Sequence, residues 1–261
     1  MKLHRIKAVL LHSLYHTTHS VETWTDLFWN PLLDMMVYFL IVSSFSTRGS
    51  ALPGTYMTIG IIFWNIVWIG QFSIAVGALW EIWSQSFSNL FVSSLTIQEF
   101  LAGQMISGFF KSVFVVILAS RLGFVLYHFS VFSFGPWLLI YFAELLVFSY
   151  AVGMLVLGMI FRFGVQIQSF SWLLIFLYRS IGAVFYAVAI LPGWMGWALW
   201  SNPLTYVFEA MRQQSATGII NGQYLAIATG LNIIYLVVCY AALMKAFQYA
   251  KDSGSFVRME G

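Results

Sequence analysis

Residues 136 to 161 read PWLLIYFAELLVFSYAVGMLVLGMIF, with Glu144 as the one formal charge, bracketed by Gly135-Pro136 and by the turn at Arg162 to Gly164. A helix rises 1.5 Å per residue, so this run is long enough to cross the ~30 Å hydrocarbon layer of a bilayer. A stretch so apolar and so nearly uncharged finds no place on a water-soluble surface. The fold class follows from it: all-α and integral to a membrane.

Composition extends that reading to the whole chain. Of 261 residues, 61% are hydrophobic and 8% charged, whereas soluble domains carry about a quarter charged residues. Disordered, fibrous and disulfide-stapled classes are excluded together, because 25 Phe, 13 Tyr and 11 Trp accompany five Pro and a single Cys. Cys239 alone closes no intrachain bridge. The net charge of +3 comes from twelve basic residues spread along the sequence, which makes no nucleic-acid stripe.

Apolar runs bounded by polar or turn residues predict six transmembrane helices, at 31–47, 56–80, 105–128, 136–161, 167–190 and 226–247. Asn30-Pro31 opens the first, since proline suits a first helical turn, and Arg48 to Gly54 with Pro53-Gly54 separates the first two. An even count puts both termini on one side. Lys2, Arg5, Lys7, Arg162, Lys245, Lys251 and Arg258 gather there against Arg48 and Arg212 opposite, so the positive-inside rule makes that side cytoplasmic. The N-terminus is not a signal peptide. Leu3, Ile6, Leu10 and Leu14 fall on one side of a helix and Lys2, Arg5, His12 and His16 on the other, which predicts a helix in the headgroup plane or, alternatively, one facing only solvent. The expected organisation is one transmembrane domain over 1–261: interface helix 1–25, spans one to five within 31–190, an outer segment 191–224, span six at 226–247 and a cytoplasmic tail 248–261. The sequence contains no G-x-x-x-x-G-K-[ST] loop, so ATP-driven work has to come from a partner.

Two connections are patterned beyond simple turns. On the inner side, Glu81 to Gln104 ends SSLTIQEFLAGQ, where Thr96 and Glu99 have capping-box spacing and predict a short helix over Thr96 to Gly103. On the outer side, Leu191 to Tyr224 contains LPGWMGWALW and SNPLTYVFEAMR, too interrupted by Pro192, Gly193, Gly196 and Pro203 to cross. Irregular backbone at membrane depth must be buried in protein or line a cavity, so this segment is expected to dip in and return as a re-entrant hairpin.

With Glu81 at the inner end of span two, the following short helix, LP-x-W at Leu191 to Trp194 and NPLTY-x-x-E-x-x-R from Asn202 to Arg212, the sequence resembles the permease subunit of type-2 ABC exporters over nearly its whole length. It departs at SQSFSNLF, Ser84 to Phe91, where the family often has a Gly-Thr-Leu-Glu-like stretch. The resemblance implies a homodimer, or sometimes a heterodimer, bound to two cytoplasmic ABC ATPases. It also implies a coupling helix involving Glu81, Thr96, Ile97, Gln98, Glu99 and Phe100, and an outer motif of Pro192, Asn202, Pro203, Tyr206, Glu209 and Arg212. ATP and Mg would sit on the partner, with no cofactor or metal on this chain, and the cargo would be a hydrophobic drug-like molecule, a lipid or a lipid-linked polysaccharide.

Asp34, Arg121, Glu144 and Arg179 fall inside predicted spans, where a charge needs a partner. Depth counting places Arg121 and Glu144 level with each other, which predicts that Glu144 pairs with Arg121, with Arg179 or with both, as a structural clasp or as a cargo-binding group. His12, His16 and His19 share a helical face that suits headgroups or, less economically, a metal; His128 and the span-end tryptophans suit the interfacial belt. A membrane enzyme using Asp34, Glu144 or His128 is the alternative function, lacking a nucleophile with a base at plausible depth. A channel lacks a repeated filter or acidic ring.

Overall fold

The computed structural model describes residues 2–46, 54–86 and 95–254. The expected turn from Arg48 to Pro53, most of the divergent SQSFSNLF stretch and the tail beyond residue 254 lie outside the described residues.

Helix α1 is Leu3–His19. Ser20 stops it with an extended backbone, and its hydroxyl accepts from the Thr23 N–H. That cap starts the next rod, α2, made of Val21–Trp24, a π-helical turn Thr25–Trp29 and Asn30–Ser46. Span one therefore starts ahead of Asn30-Pro31, where the sequence places it. Pro31 cannot donate to the carbonyl four residues back, and the wider π turn just before it takes up the mismatch. Asn30 Nδ2 donates to Asp26 Oδ1 at 2.8 Å across that turn.

Helix α3 runs Gly54–Trp83 and α4 runs Ile97–Tyr127. A 3-10 turn Val131–Phe134 leads to α5, Trp137–Phe163, which ends at Gly164 with φ +88°. Then come α6 (Phe170–Ile181), two 3-10 turns at Val188–Ile190 and Gly193–Met195, α7 (Gly196–Trp200), α8 (Pro203–Thr217) and α9 (Gly222–Asp252). Five helices among the described residues are long and apolar enough to cross a membrane: Val21–Ser44, Thr55–Trp83, Ile97–Tyr127, Trp137–Phe163 and Gly222–Asp252.

The 167–190 segment differs from its expectation as one continuous span. Its helix stops after 12 residues, about 18 Å. The break has a local cause: the Ala183 and Val184 carbonyls are taken by the side chain of Arg212 instead of by helical N–H groups, and Ala183 sits at φ +50°.

At the centre stand α3 and α5, with 89% and 78% of their apolar windows buried, against 17%, 28% and 22% for α2, α4 and α9. Small residues let the two central helices approach closely: a Cβ on Gly70 would lie 1.9 Å from Ser149 Oγ, and one on Gly153 would lie 3.1 Å from the Gln71 carbonyl oxygen. Helices α4 and α2 flank α3, and α9 runs along α5.

Helix α1 crosses α4 through Val9, Ser13 and Thr17, spaced four apart and buried. Val9 fills the space left by Gly103, and Ser13 Oγ hydrogen-bonds Ser107 Oγ at 2.7 Å. Leu3, Leu11 and Leu14 stay exposed. The sequence foresees an amphipathic helix here, but the stripe that docks on the protein is small and partly polar, and the leucines point away from it.

Candidate functional site

At the C-terminal end of α3 and the N-terminal end of α4, two carboxylates frame the connection that begins at Ser84. The capping box is present: Thr96 Oγ1 accepts from the Glu99 N–H at 3.3 Å and Glu99 Oε2 accepts from the Thr96 N–H at 3.1 Å. Glu99 also binds the start of α1, accepting from the Lys2 N–H at 2.7 Å and from Arg5 Nη1 at 3.5 Å. Across the connection, Glu81 Oε1 lies 2.9 Å from His12 Nδ1 and its Oε2 accepts from Ser86 Oγ at 2.6 Å. Both flanks of one loop are thus tied to α1 through buried acids.

This geometry corrects the expected short helix. Thr96 to Gly103 forms the cap and first turns of the 31-residue α4, because nothing between Gly103 and span three breaks the helical pattern once the box has started it. Ile97, Glu99 and Phe100 are buried, while Thr96 and Gln98 stay exposed, with Gln98 Nε2 donating to the Tyr240 hydroxyl at 3.0 Å. At the two ends of the connection Ser84, Gln85 and Thr96 are exposed, and residues 87–94 lie outside the described residues. The histidines of α1 separate: His12 meets Glu81, His16 meets Thr23 and His19 meets Tyr15 and Thr18.

Within the bundle, charge pairing departs from the depth argument. Arg179 of α6 donates to Asp34 Oδ2 at 3.1 Å and to the Tyr38 hydroxyl at 3.0 Å, both on α2. Its guanidinium also lies 4.6 Å from the Phe185 ring centroid and 5.9 Å from that of Trp64. This pair edges a cavity of about 240 Å³ between α2, α3 and α6, lined by Asn30, Asp34, Trp64, Trp68, Phe176 and Arg179. Glu144 has other partners, both on α9: it accepts from the Thr229 hydroxyl, and its Oε2 accepts from Asn232 Nδ2 at 2.6 Å. Arg121 is exposed on α4 and has no carboxylate within 4 Å among the described residues. Equal depth gave no information on azimuth: α5 turns Glu144 toward α9, and α4 turns Arg121 outward. The available signal was the polar pair Thr229 and Asn232, one turn apart in an otherwise apolar span.

The NPLTY-x-x-E-x-x-R motif builds a latch. Asn202 Oδ1 caps α8 by accepting from the Leu204 N–H at 3.1 Å, and Pro203 takes the first turn, where its missing N–H costs nothing. One turn apart on α8, Glu209 Oε1 accepts from Arg212 Nη1 at 3.0 Å and from the Val188 N–H at 3.0 Å. Arg212, 2% exposed, sends its other terminal nitrogen to the Ala183 and Val184 carbonyls. Tyr206 packs its ring against Trp200 of α7 and Tyr224 of α9, at 4.9 and 5.7 Å. Pro192, by contrast, is exposed at the start of a 3-10 turn. The motif thus ties α8 to the turns after α6, to α7 and to the start of α9.

The sequence model of the ABC-2 type transporter family matches residues 19–214, about three quarters of the chain. The chain belongs to the ABC-2 type transporter family. As a membrane domain of an ABC-2 transporter it is a transport component, and the match runs from the end of α1 through the Glu209–Arg212 latch. A search of the curated proteins finds no match. The family match spans the framed connection between α3 and α4, the Asp34–Arg179 cavity and the latch, and leaves α9 and nearly all of α1 outside it.

Proposed function

We propose that this ABC-2 membrane domain is the permease half of an ATP-driven exporter, working as a homodimer with two cytoplasmic ABC ATPases that carry the ATP and Mg. The observation that carries this reading is the double tie at the inner face. Glu81 and Glu99, one on each side of a single connection, are both held by α1. A force applied to that connection would therefore move α3, α4 and α1 as one body and act on the α2–α3–α6 cavity. ATP binding can drive such motion only to the extent that it favours one arrangement over the other.

The cavity suits a hydrophobic or lipid-linked cargo, since Trp64, Trp68 and Phe176 offer apolar faces and Arg179 with Asp34 a polar contact. In this reading α6 and the short turns through Ile190 complete a sixth crossing, α7 and α8 form the outer re-entrant hairpin, and both termini are cytoplasmic in the bacterial plasma membrane. Basic residues at both ends, Lys2, Arg5 and Lys7 against Lys245 and Lys251, favour that parity over the five-crossing alternative.

The test is reconstitution. The chain co-expressed with an ABC ATPase should retain it through purification and stimulate ATP hydrolysis in proteoliposomes. Replacing residues 84–96 by a Gly-Ser linker should abolish retention while the chain still inserts; retention unchanged by that replacement refutes the coupling assignment.

A further inference from the structure

Helices α5 and α9 run parallel, with Gly158 against Leu243 and Phe161 against Phe247. Beside this contact lies an open groove of about 420 Å³ floored by Leu155, Gly158, Met159, Ala242 and Ala246. Small side chains leave this space, and the lining is almost wholly apolar. At its rim stand Arg162, Lys245 and Tyr249, with the Arg162 guanidinium 3.6 Å above the Tyr249 ring. Both cations are exposed, and among the described residues neither has a carboxylate within 4 Å.

We propose that this groove is a binding site for one anionic phospholipid, with its phosphate between Arg162 and Lys245 and the upper part of one acyl chain lying between α5 and α9. The charge and the apolar floor point to the same ligand. A free anion uses the two cations and leaves the groove unexplained, whereas an uncharged lipid fills the groove and leaves two cations unpaired. A second copy of the chain would have to bring acidic groups to the rim, while the exposed parts of α5 and α9 around the groove carry Arg162, Lys245 and Lys251 against Asp252 alone.

Dimensions agree. From Leu155 to Arg162 a helix advances about 10 Å, two thirds of one leaflet of a ~30 Å hydrocarbon layer. Tyr249 holds the guanidinium in place without neutralising it, so the phosphate meets a positioned donor. Basic pockets between membrane helices favour anionic headgroups by this combination. The site requires only that α5 and α9 cross a bilayer; export, coupling and cargo do not enter.

The experiment is native mass spectrometry of the detergent-purified chain incubated with phosphatidylglycerol or with phosphatidylcholine of the same acyl chains. The expected result is a single retained phosphatidylglycerol, preferred over phosphatidylcholine by roughly thirtyfold for two interfacial cations. The R162Q/K245Q variant, altered only at exposed positions, should bring retention down to the phosphatidylcholine level. The groove-filling A246F variant, with both cations intact, should weaken both lipids. Equal retention of the two lipids by the wild type, unchanged preference in R162Q/K245Q, or displacement of the lipid by an equal concentration of inorganic phosphate would each overturn the proposal. So would efficient disulfide cross-linking of A246C between copies in membranes, which would make the groove a protein interface. None of these readouts uses ATP or cargo, so their failure is separate from failure of the exporter reading.

Discussion

Gly60 of α3 and Val184, just after α6, stand so close that a Cβ on the glycine would lie 2.1 Å from the valine carbonyl oxygen. That oxygen also accepts from Arg212 at 2.7 Å, so the backbone is held from both sides and cannot retreat. G60A is expected to destabilise the protein by about 1–3 kcal/mol through overpacking against backbone. The check is a lowered thermal midpoint of the purified protein in detergent, and an unchanged midpoint would refute the close approach.

Arg212 is the most consequential single side chain in the segment between α6 and α9. Removing it leaves Glu209 without its cation and two carbonyls beyond α6 without donors. Breaking a buried charged network by deleting one partner costs about 3–5 kcal/mol, so R212A should abolish most folded yield. R212K should be nearly as damaging, because an ammonium cannot reach the carboxylate and both carbonyls in one plane. Size-exclusion profiles of the membrane-extracted variants measure this, and a monodisperse R212K at wild-type yield would contradict it.

The NPLTY-x-x-E-x-x-R motif was legible as a motif and silent as to purpose. Asn202 and Pro203 announce a helix start in any sequence, but the partners of Glu209 and Arg212 are backbone groups of an irregular turn, and irregular backbone has no residue code. Thr96 and Glu99 were readable for the opposite reason: a capping box is local, and both of its halves lie within four residues. The long spans α3, α4, α5 and α9 announced themselves through length and apolarity, whereas α6 could not, because its break depends on a side chain some thirty residues later. Arg121 and Glu144 show the same limit inside the membrane. Depth follows from counting along a helix, but the direction a side chain faces follows from which neighbour its helix packs on.

The Asp34–Arg179 pair is asymmetric: side-chain exposure is 46% for the acid and 14% for the base. Losing the base leaves a carboxylate that hydrates in the open cavity, which costs less than about 1 kcal/mol. Losing the acid leaves a shielded guanidinium with only Tyr38 and aromatic faces, at about 1.5–3 kcal/mol for a charged hydrogen bond. D34A, which unlike an amide leaves no oxygen for the guanidinium, should therefore lower the thermal midpoint more than R179Q. Equal losses, or the reverse order, would show that the pair is buried evenly and that the cavity is closed to water.

Docking of α1 should depend on pH through His12. Its imidazole is held above the usual histidine range mainly by the hydrogen bond to Glu81, with burial opposing. His16 on the same helix is shifted down, mainly by burial and then by Lys111. Around His12 lie Glu81 from α3, Lys111 from α4 and His16 and Ser13 from its own helix. A raised folded-state pKa contributes stability that is complete below the unfolded value near 6.5 and lost as pH rises through the folded value. Amide hydrogen exchange, after correction for intrinsic rates, should therefore show Leu3–His19 better protected at pH 5.5 than at pH 8.5. The effect should be modest, because the side chain of His12 is 58% exposed. H12Q should remove or reverse it, because the downward shift of His16 favours docking at the higher pH; better protection at pH 5.5 that survives in H12Q assigns the effect elsewhere.

Among the described residues Glu144 meets only neutral donors, the Thr229 hydroxyl and the Asn232 amide, and that distinguishes its role from the ion pair expected by depth. E144Q keeps one carbonyl oxygen facing Asn232 and turns its amide toward a hydroxyl, which also accepts, so the hydrogen bonds survive. N232L removes two bonds at once, since Nδ2 also donates to the Glu144 carbonyl at 3.0 Å, and leaves a buried carboxylate short of donors. The unsatisfied acid costs about 1–3 kcal/mol or more when charged. Thermal midpoints should therefore rank wild type and E144Q close together with N232L well below, and E144Q/N232L should recover part of the loss because the stranded charge is gone. In a double-mutant cycle that recovery is the coupling energy. If E144Q alone is as damaging as N232L, then Glu144 is held by a cation and the pairing with α9 described here is wrong.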